Sequence, residues 1–376
     1  MKLHSAAPLG FLLLLPLLLL LPRPAEEAPA PTPTPAVTHA PTRAPVTLQG
    51  SESGTMAYCN LRTGEAIVGN DAPGQDGLWW GARGGHDPLQ TARDAAAPNT
   101  VSDLKTVPAG GITALRLRAR LVGVALEPSA SGQFELSYVG FSDTAPFPVT
   151  TEVRDGALSI QIEGADGQFY YVNTSADDRC NTLRVGVPAG ILSALSLDCS
   201  TACVLVDGLD LPVQCDTGNA MVLVHDETRT QPLTMSCTNG SLGLSAGTVS
   251  GDVTLTATNG MVSLLAETVT GDLTLTAANG SVKAEADALT TARLRAENGS
   301  VQAAVGTVAD AVYAGVSNGD LTFHLTRVPT DLTFHAQGWH LLDSLPDGWT
   351  DGRVFGPGGP ELTLECVNGD ADFTVG

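Results

Sequence analysis

The side chains of this 376-residue chain whose type and spacing could do chemistry are a set of cysteines, two aspartates, two histidines and two tryptophans. Cys199, Cys215, Cys237 and Cys366 each close a run of alternating apolar residues, as in Leu233-x-Met235-x-Cys237 and Leu362-x-Leu364-x-Cys366. If these runs are stacked strands, the four thiols share one inward column, with neighbouring Cα atoms about 4.8 Å apart and within reach of a disulfide. The plainer role is packing, because Ala257, Ala277 and Ala296 fill the same slot in matching runs. Cys59 and Cys180 remain as candidate partners that would tie the amino-terminal segment to the first strands. Seven cysteines leave at least one free or paired between molecules. There is no Cys-x-x-Cys, so the thiols do not spell a zinc site.

Asp252 and Asp272 each follow a glycine and would stack at one corner, where two carboxylates could suit calcium. The glycine-rich nonapeptide of calcium-binding β-rolls is absent, and solvated corner charges are the preferred reading. His324 and His335 recur in Thr-Phe-His without a carboxylate at fixed spacing and read as surface strand residues. Thr234 with Ser236, Thr254 with Thr256, and Thr274 with Thr276 make an outward ladder of the kind that binds ice, interrupted by Arg293 and Arg295. The outward columns are otherwise Ser, Arg and Gln, and no two acids are expected on neighbouring strands. With no Gly-x-Ser-x-Gly, His-Glu-x-x-His or phosphate loop, no catalytic, cofactor-binding or metal-binding residue is assigned and the chain is not expected to be an enzyme. Trp339 and Trp349 are the candidate ligand contacts, for a glycan or a protein, unless both cap the last strands of the core.

The element that must position these residues is a repeat. Asn-Gly recurs at Asn239, Asn259, Asn279, Asn298 and Asn318. Before each copy, apolar residues fall at minus six, minus four and minus two, as in Val253, Leu255 and Ala257; after it a second alternating run follows, as in Val262, Leu264 and Ala266. Period two is a strand, so each unit of about 20 residues reads as strand, bend, strand, bend. Asn and Gly both tolerate the positive φ that a corner needs. An Asn-Gly hairpin is the competing reading, but a meander has no need to repeat one period with the same bend residues. The expected fold is all-β: a parallel β-solenoid preceded by a β-sheet cap.

The expected organisation is a signal peptide or N-terminal anchor over 1–24, with an apolar run from Leu9 to Leu21. A Pro-rich linker over 25–49 and an irregular Gly-rich segment over 50–111 follow. A β-repeat domain then fills 112–376, with cap strands over 112–189 and the solenoid, of about nine coils, over 190–376. A hydrophobic content of 43% with 41 glycines and 5% aromatics suits a thin core of Val, Leu and Ala. The net charge of −21 argues against nucleic acid and anionic membrane surfaces as partners.

Val187-Pro188 before the first coil, the Leu-x-Leu-x-x-x-Asn-Gly-x-Val pattern, and the closing run Phe355-Gly356, Leu362-Thr363-Leu364 and Asn368-Gly369-Asp370 carry a family resemblance. Over 112–376 the chain resembles the exported bacterial adhesin-like β-strand-repeat family, a domain of unknown function. The resemblance implies a non-enzymatic protein of the cell envelope or surface, acting as a binding or structural module without a cofactor. Its partners would be a glycan or a protein at a cell surface, with the membrane reached only through the N-terminal anchor. The alternatives are a polysaccharide-active β-helix enzyme and an ice-binding threonine ladder.

Overall fold

The computed structural model describes residues 56–60, 66–69, 79–83, 99–141, 148–164 and 182–376. The apolar run of residues 9–21, the Pro-rich stretch and Cys180 lie outside them, and with Cys180 the proposed link to Cys59. Met56–Asn60 pairs antiparallel with Ala66–Gly69 on one side and Trp79–Arg83 on the other, forming a small sheet. The remaining described strands form one large mixed sheet, mainly parallel.

Its centre is the repeat. Val213–Arg229 pairs in parallel with Leu233–Val249, Val213 opposite Leu233 and Val224 opposite Leu244, and Leu233–Val249 pairs in the same register with the start of Val253–Leu325. Inward side chains therefore stack on their own kind: Leu233 on Val253, Met235 on Leu255, Leu242 on Val262, all fully buried. A slip of one residue would turn every one of these columns to solvent, so the alternation itself fixes the register.

At each corner Asn and Gly divide the work. Gly240, Gly260, Gly280, Gly299 and Gly319 have φ between +132° and +154°, whereas among the described residues the non-glycines at positive φ are Leu121, Asp155 and Thr201. The expectation that asparagine shares the strained conformation is thus corrected: its part is played by the side chain. The Nδ2 of Asn239 donates to Oδ1 of Asn219, Asn259 to Asn239, Asn279 to Asn259, Asn298 to Asn279, Asn318 to Asn298 and Asn368 to Asn318, at 2.7–3.1 Å. All six bonds run in one direction, so the amide dipoles align and polarise one another along the stack.

The ladder begins one rung earlier than the Asn-Gly motif does. Asn219 follows its glycine, Gly218, and escapes a search for Asn-Gly. This rung resets the columns. Cys215 lies opposite Leu197 and Met235, while Cys199 lies opposite Thr217, which lies opposite Cys237. The four thiols do not share one column, and a buried threonine separates Cys199 from Cys237. The Thr217 hydroxyl is satisfied by donating to the Cys199 carbonyl at 2.7 Å.

At both ends the stack departs from chain order. Ala157–Glu163 pairs in parallel with Ala114–Arg120, whose other edge takes Ala194–Ser200. Thr182–Pro188 inserts between Gly123–Ser129 and Gln133–Phe141. At the far end Glu361–Asn368 slides between residues 311–318 and Leu332–Gln337. The strand at Leu332 therefore does not follow the coil at Val312 in chain order; the final strands of the chain occupy that place. The outermost pairs are antiparallel: Asn99–Pro108 on Gln133–Phe141, Val149–Arg154 on Ala157–Glu163, and Arg353–Phe355 on Leu332–Gln337. Ending a parallel stack with an antiparallel strand interrupts the repeating template that another copy could extend.

Candidate functional site

The carboxyl-terminal cap holds both tryptophans predicted as contacts. Leu332–Gln337 leads through Gly338 into a short helix, Trp339–Asp343, which buries Leu341 and leaves Trp339 77% exposed. Trp349 turns the other way. Its ring centroid lies 5.0 Å from Phe334, 4.6 Å from Phe355 and 4.9 Å from Phe373, and Phe334 stacks on Phe373 at 5.0 Å. Edge and offset aromatic contacts of this kind are worth about 0.5–1.5 kcal/mol each beyond area burial. The structure places the two indoles apart: Trp349 inside the aromatic plug that closes the core, Trp339 outside it.

The other predicted chemistry disperses. Cys199, Cys215, Cys237 and Cys366 are free and buried. Burial pushes the Cys199 thiol up to about 12 and the Cys237 thiol to about 11, and raises Cys215 and Cys366 as well. At pH 8 a thiol near 12 has roughly a thousandfold less thiolate than an ordinary one. Mass-mapped alkylation should therefore leave these four unmodified in the native chain and label all of them in denaturant; labelling of any one at a denatured-state rate under native conditions would refute the assignment.

Asp252 is occupied at its corner, its Oδ1 accepting the Asp272 amide at 3.1 Å. Among the described residues no group of three or more His, Cys, Asp or Glu is arranged to hold a metal ion. His324 meets the Thr374 hydroxyl at 2.8 Å, and His335 lies 3.6 Å from Asp351. The threonine ladder is in register, Thr234 opposite Thr254 and Ser236 opposite Thr256.

The reset register also corrects the claim about acids. Asp198 and Asp216 lie directly opposite each other on adjacent outward strands. Each has its own partner: Arg118 is 3.5 Å from Asp198, and Ser236 donates to Asp216 at 2.9 Å. The Arg118 and Asp198 side chains are about 70% exposed, a solvated pair of little energetic weight.

A hollow of about 610 Å³ lies at the amino-terminal end, between Lys105, Glu127, Ser129, Glu135 and Arg184. Arg184 binds Glu127, and Ser129 donates to Glu135 at 2.9 Å. Hydrogen bonds from Ser131 and Ser129 hold the Glu135 carboxyl below its usual range. Gly186 makes the room, since a Cβ there would meet Ser129 at 3.2 Å and Glu135 at 3.3 Å. This polar network is internally satisfied, and its members come from strands whose juxtaposition depends on the out-of-order insertion of Thr182–Pro188. Sequence spacing carries no signal for it.

No curated protein matches the chain. Among solved structures it is similar to a "putative lipid binding protein" from Parabacteroides distasonis (12% identity, 74% of this chain and 96% of that chain covered, TM-score 0.41). It is also similar to a "putative adhesin" from Parabacteroides merdae (13% identity, 74% and 96%, TM-score 0.35). A third is a "putative cell adhesion protein" from Clostridium sporogenes (11% identity, 74% and 99%, TM-score 0.24). The toastrack DUF4097 family profile matches residues 112–338, well over half of the sequence. With that profile matched across the parallel repeat, the chain belongs to the toastrack DUF4097 family.

Proposed function

We propose that this chain is an exported, non-enzymatic module of the cell envelope or surface, built as a parallel β-solenoid and acting in binding or as a rigid spacer. The observation that carries this reading is the unbroken register from Ala114 to the final strands, closed at both ends by antiparallel pairs. Such a stack is stiff along its axis and presents fixed rows of side chains, which suits contact better than chemistry. Family membership supports it, as do the apolar run from Leu9 to Leu21 and the Pro-rich spacer, which would carry the folded part outside the cytoplasm. The domain limits follow the same reading: leader or anchor to residue 24, spacer to 49, Gly-rich segment to 111, then the repeat domain. No helix of the described residues is long and apolar enough to cross a membrane, so attachment would fall to the amino-terminal run.

Of the two tryptophans, Trp339 has the exposure a contact residue needs, and its partner would be a glycan or a protein at a cell surface. Protease shaving of intact cells, with N-terminal sequencing of the native protein, should recover the repeat domain outside the cell. In a solid-phase assay on host or bacterial surface material, Trp339→Ala should weaken attachment about tenfold with an unchanged melting temperature, whereas Trp349→Ala should lower the melting temperature. Recovery only from the cytoplasm would overturn the proposal.

The second reading, a polysaccharide-cleaving enzyme, draws on the Asp198 and Asp216 pair. Turnover on a glycan panel that disappears in Asp216→Asn would establish it. Ice binding would need thermal hysteresis that Thr254 and Thr256 to bulky residues abolishes.

A further inference from the structure

The threonine ladder on the first face ends where Arg293 and Arg295 replace it, and the structure gives this break a shape. Tyr313, on the next tier, lies flat along its strand, so that a Cβ added at Gly315 would come 2.2 Å from the phenol oxygen. Gly315 is the bed on which the ring rests. The phenol reaches past it and donates to Oε2 of Glu365 at 2.6 Å. Arg293 stacks its guanidinium over the Tyr313 ring, 4.7 Å from the centroid. Burial and the bond to Glu365 push the Tyr313 phenol up to about 12, so it stays a donor across the physiological range.

Arg293 and Tyr313 line a groove of about 440 Å³ together with Thr274, Thr291 and Thr363 and the carboxylates Asp272 and Glu361. Among the described residues, no carboxylate lies within ion-pair distance of Arg293 or Arg295. In a chain of net charge −21 these are two neighbouring cations outside any ion pair, one held in orientation by an aromatic ring, with Asp272 and Glu361 in the groove as further acceptors for ligand hydroxyls. A stacked guanidinium keeps its edge donors free for an incoming carboxylate or sulfate. Glu365 uses one oxygen for Tyr313 and has a second to accept from a ligand hydroxyl, and the flanking threonines can donate or accept.

We propose that Arg293, Arg295, Tyr313 and Glu365 form a binding site for an acidic oligosaccharide, a sugar bearing a carboxylate or sulfate next to free hydroxyls. An anion alone would have no use for Glu365, and a neutral sugar no use for the arginine pair; an acidic sugar uses both. The proposal rests on the reading of the chain as a binding module, but it uses a different surface from Trp339.

The test is calorimetric titration of the purified full-length chain, at low ionic strength, with tetragalacturonate, a chondroitin sulfate tetrasaccharide, cellotetraose and tetraglutamate. At least one of the two acidic sugars should bind, and cellotetraose should not; which of the two binds identifies the anionic group. Arg293→Gln with Arg295→Gln should weaken binding at least about tenfold, the loss expected for charge-assisted hydrogen bonds. Tyr313→Phe, which frees Glu365 to repel the anion, should also weaken it, and Arg118→Gln elsewhere on the same face should leave it unchanged. Added salt should weaken binding by the wild-type chain. Failure of both acidic sugars to bind, binding that survives the double Gln variant while the fold is intact, or tetraglutamate binding as tightly as the sugars would each overturn the proposal. Trp339→Ala separates the two readings: it should leave this titration unchanged, so loss of surface attachment without loss of sugar binding, or the reverse, shows which surface has failed.

Discussion

Replacing Gly260 with alanine should destabilise the folded chain by about 3–5 kcal/mol, the sum of a disfavoured backbone angle and a backbone collision. Gly260 has φ +144°, and a Cβ there would lie 1.8 Å from the carbonyl oxygen of Gly240 in the tier below. The obstacle is main chain, so no side chain can swing aside. The same collision, at 1.7–2.0 Å, recurs at Gly280, Gly299, Gly319 and Gly369, which makes the glycines one continuous column of close backbone approach. Moving one corner outward would pull its strands off register with both neighbours, because each tier contacts only the tiers above and below. Asn259→Ala is the control at the same corner. It removes two exposed ladder bonds, to Asn239 and from Asn279, and should cost only about 1–2 kcal/mol. Chemical denaturation of the two variants checks the order; a Gly260→Ala cost below that of Asn259→Ala would mean that the corner yields more readily than its geometry implies.

The repeat was legible because every tier meets the same geometry, and the same geometry selects the same residue. Where a tier solves the corner differently, the signal fails: Gly218-Asn219 supplies a ladder amide with its glycine on the wrong side, and one missed rung displaced Cys215 and concealed the Asp198–Asp216 pair. The swaps at the ends were illegible for another reason. An apolar column such as Leu332, Phe334, Ala336 presents the same face as Leu362, Leu364, Cys366, so alternation cannot say which one stacks on Val312. That choice depends on the aromatic plug of Phe323, Phe334, Trp349 and Phe373, which assembles only when the chain doubles back. Composition likewise could not separate Trp339 from Trp349. Arg293 and Arg295 were visible as an interruption of the threonines, but their significance needed Tyr313 lying over Gly315, a relation between tiers.

Arg229→Val should cost about 3–5 kcal/mol, the loss typical of removing one partner from a buried pair, and the deficit should grow with pH. Arg229 is fully buried, and all five of its N–H donors are used. Nε donates to the Gln231 carbonyl at 3.1 Å; Nη1 to Asp226 at 2.8 Å and the Leu209 carbonyl at 3.3 Å; Nη2 to the Leu211 carbonyl at 2.6 Å and the Pro232 carbonyl at 3.1 Å. One side chain thus donates to four carbonyls of two irregular corners, of which those of Leu209 and Pro232 also accept a backbone N–H. In the next tier the same positions are apolar: Arg229 lies opposite Val249 and Asp226 opposite Ala246. Burial raises the Asp226 carboxyl above its usual range, while the hydrogen bond and charge of Arg229 pull it down. Removing the arginine leaves burial unopposed, so the native carboxyl rises further. A group raised in the native state is harmless below its unfolded value of about 3.9 and costs stability increasingly as pH climbs through the native value. Denaturant melts should therefore show a larger deficit for Arg229→Val at pH 8 than at pH 5. The double variant Asp226→Ala with Arg229→Val copies the neighbouring tier and removes the stranded carboxylate. It should recover part of the loss and lose the pH dependence, keeping a deficit of about 1–3 kcal/mol from the Leu211 and Gln231 carbonyls that lose their arginine donor. A double variant no more stable than the single one at pH 8 would show that the carbonyl contacts, and not the buried charge, dominate this corner.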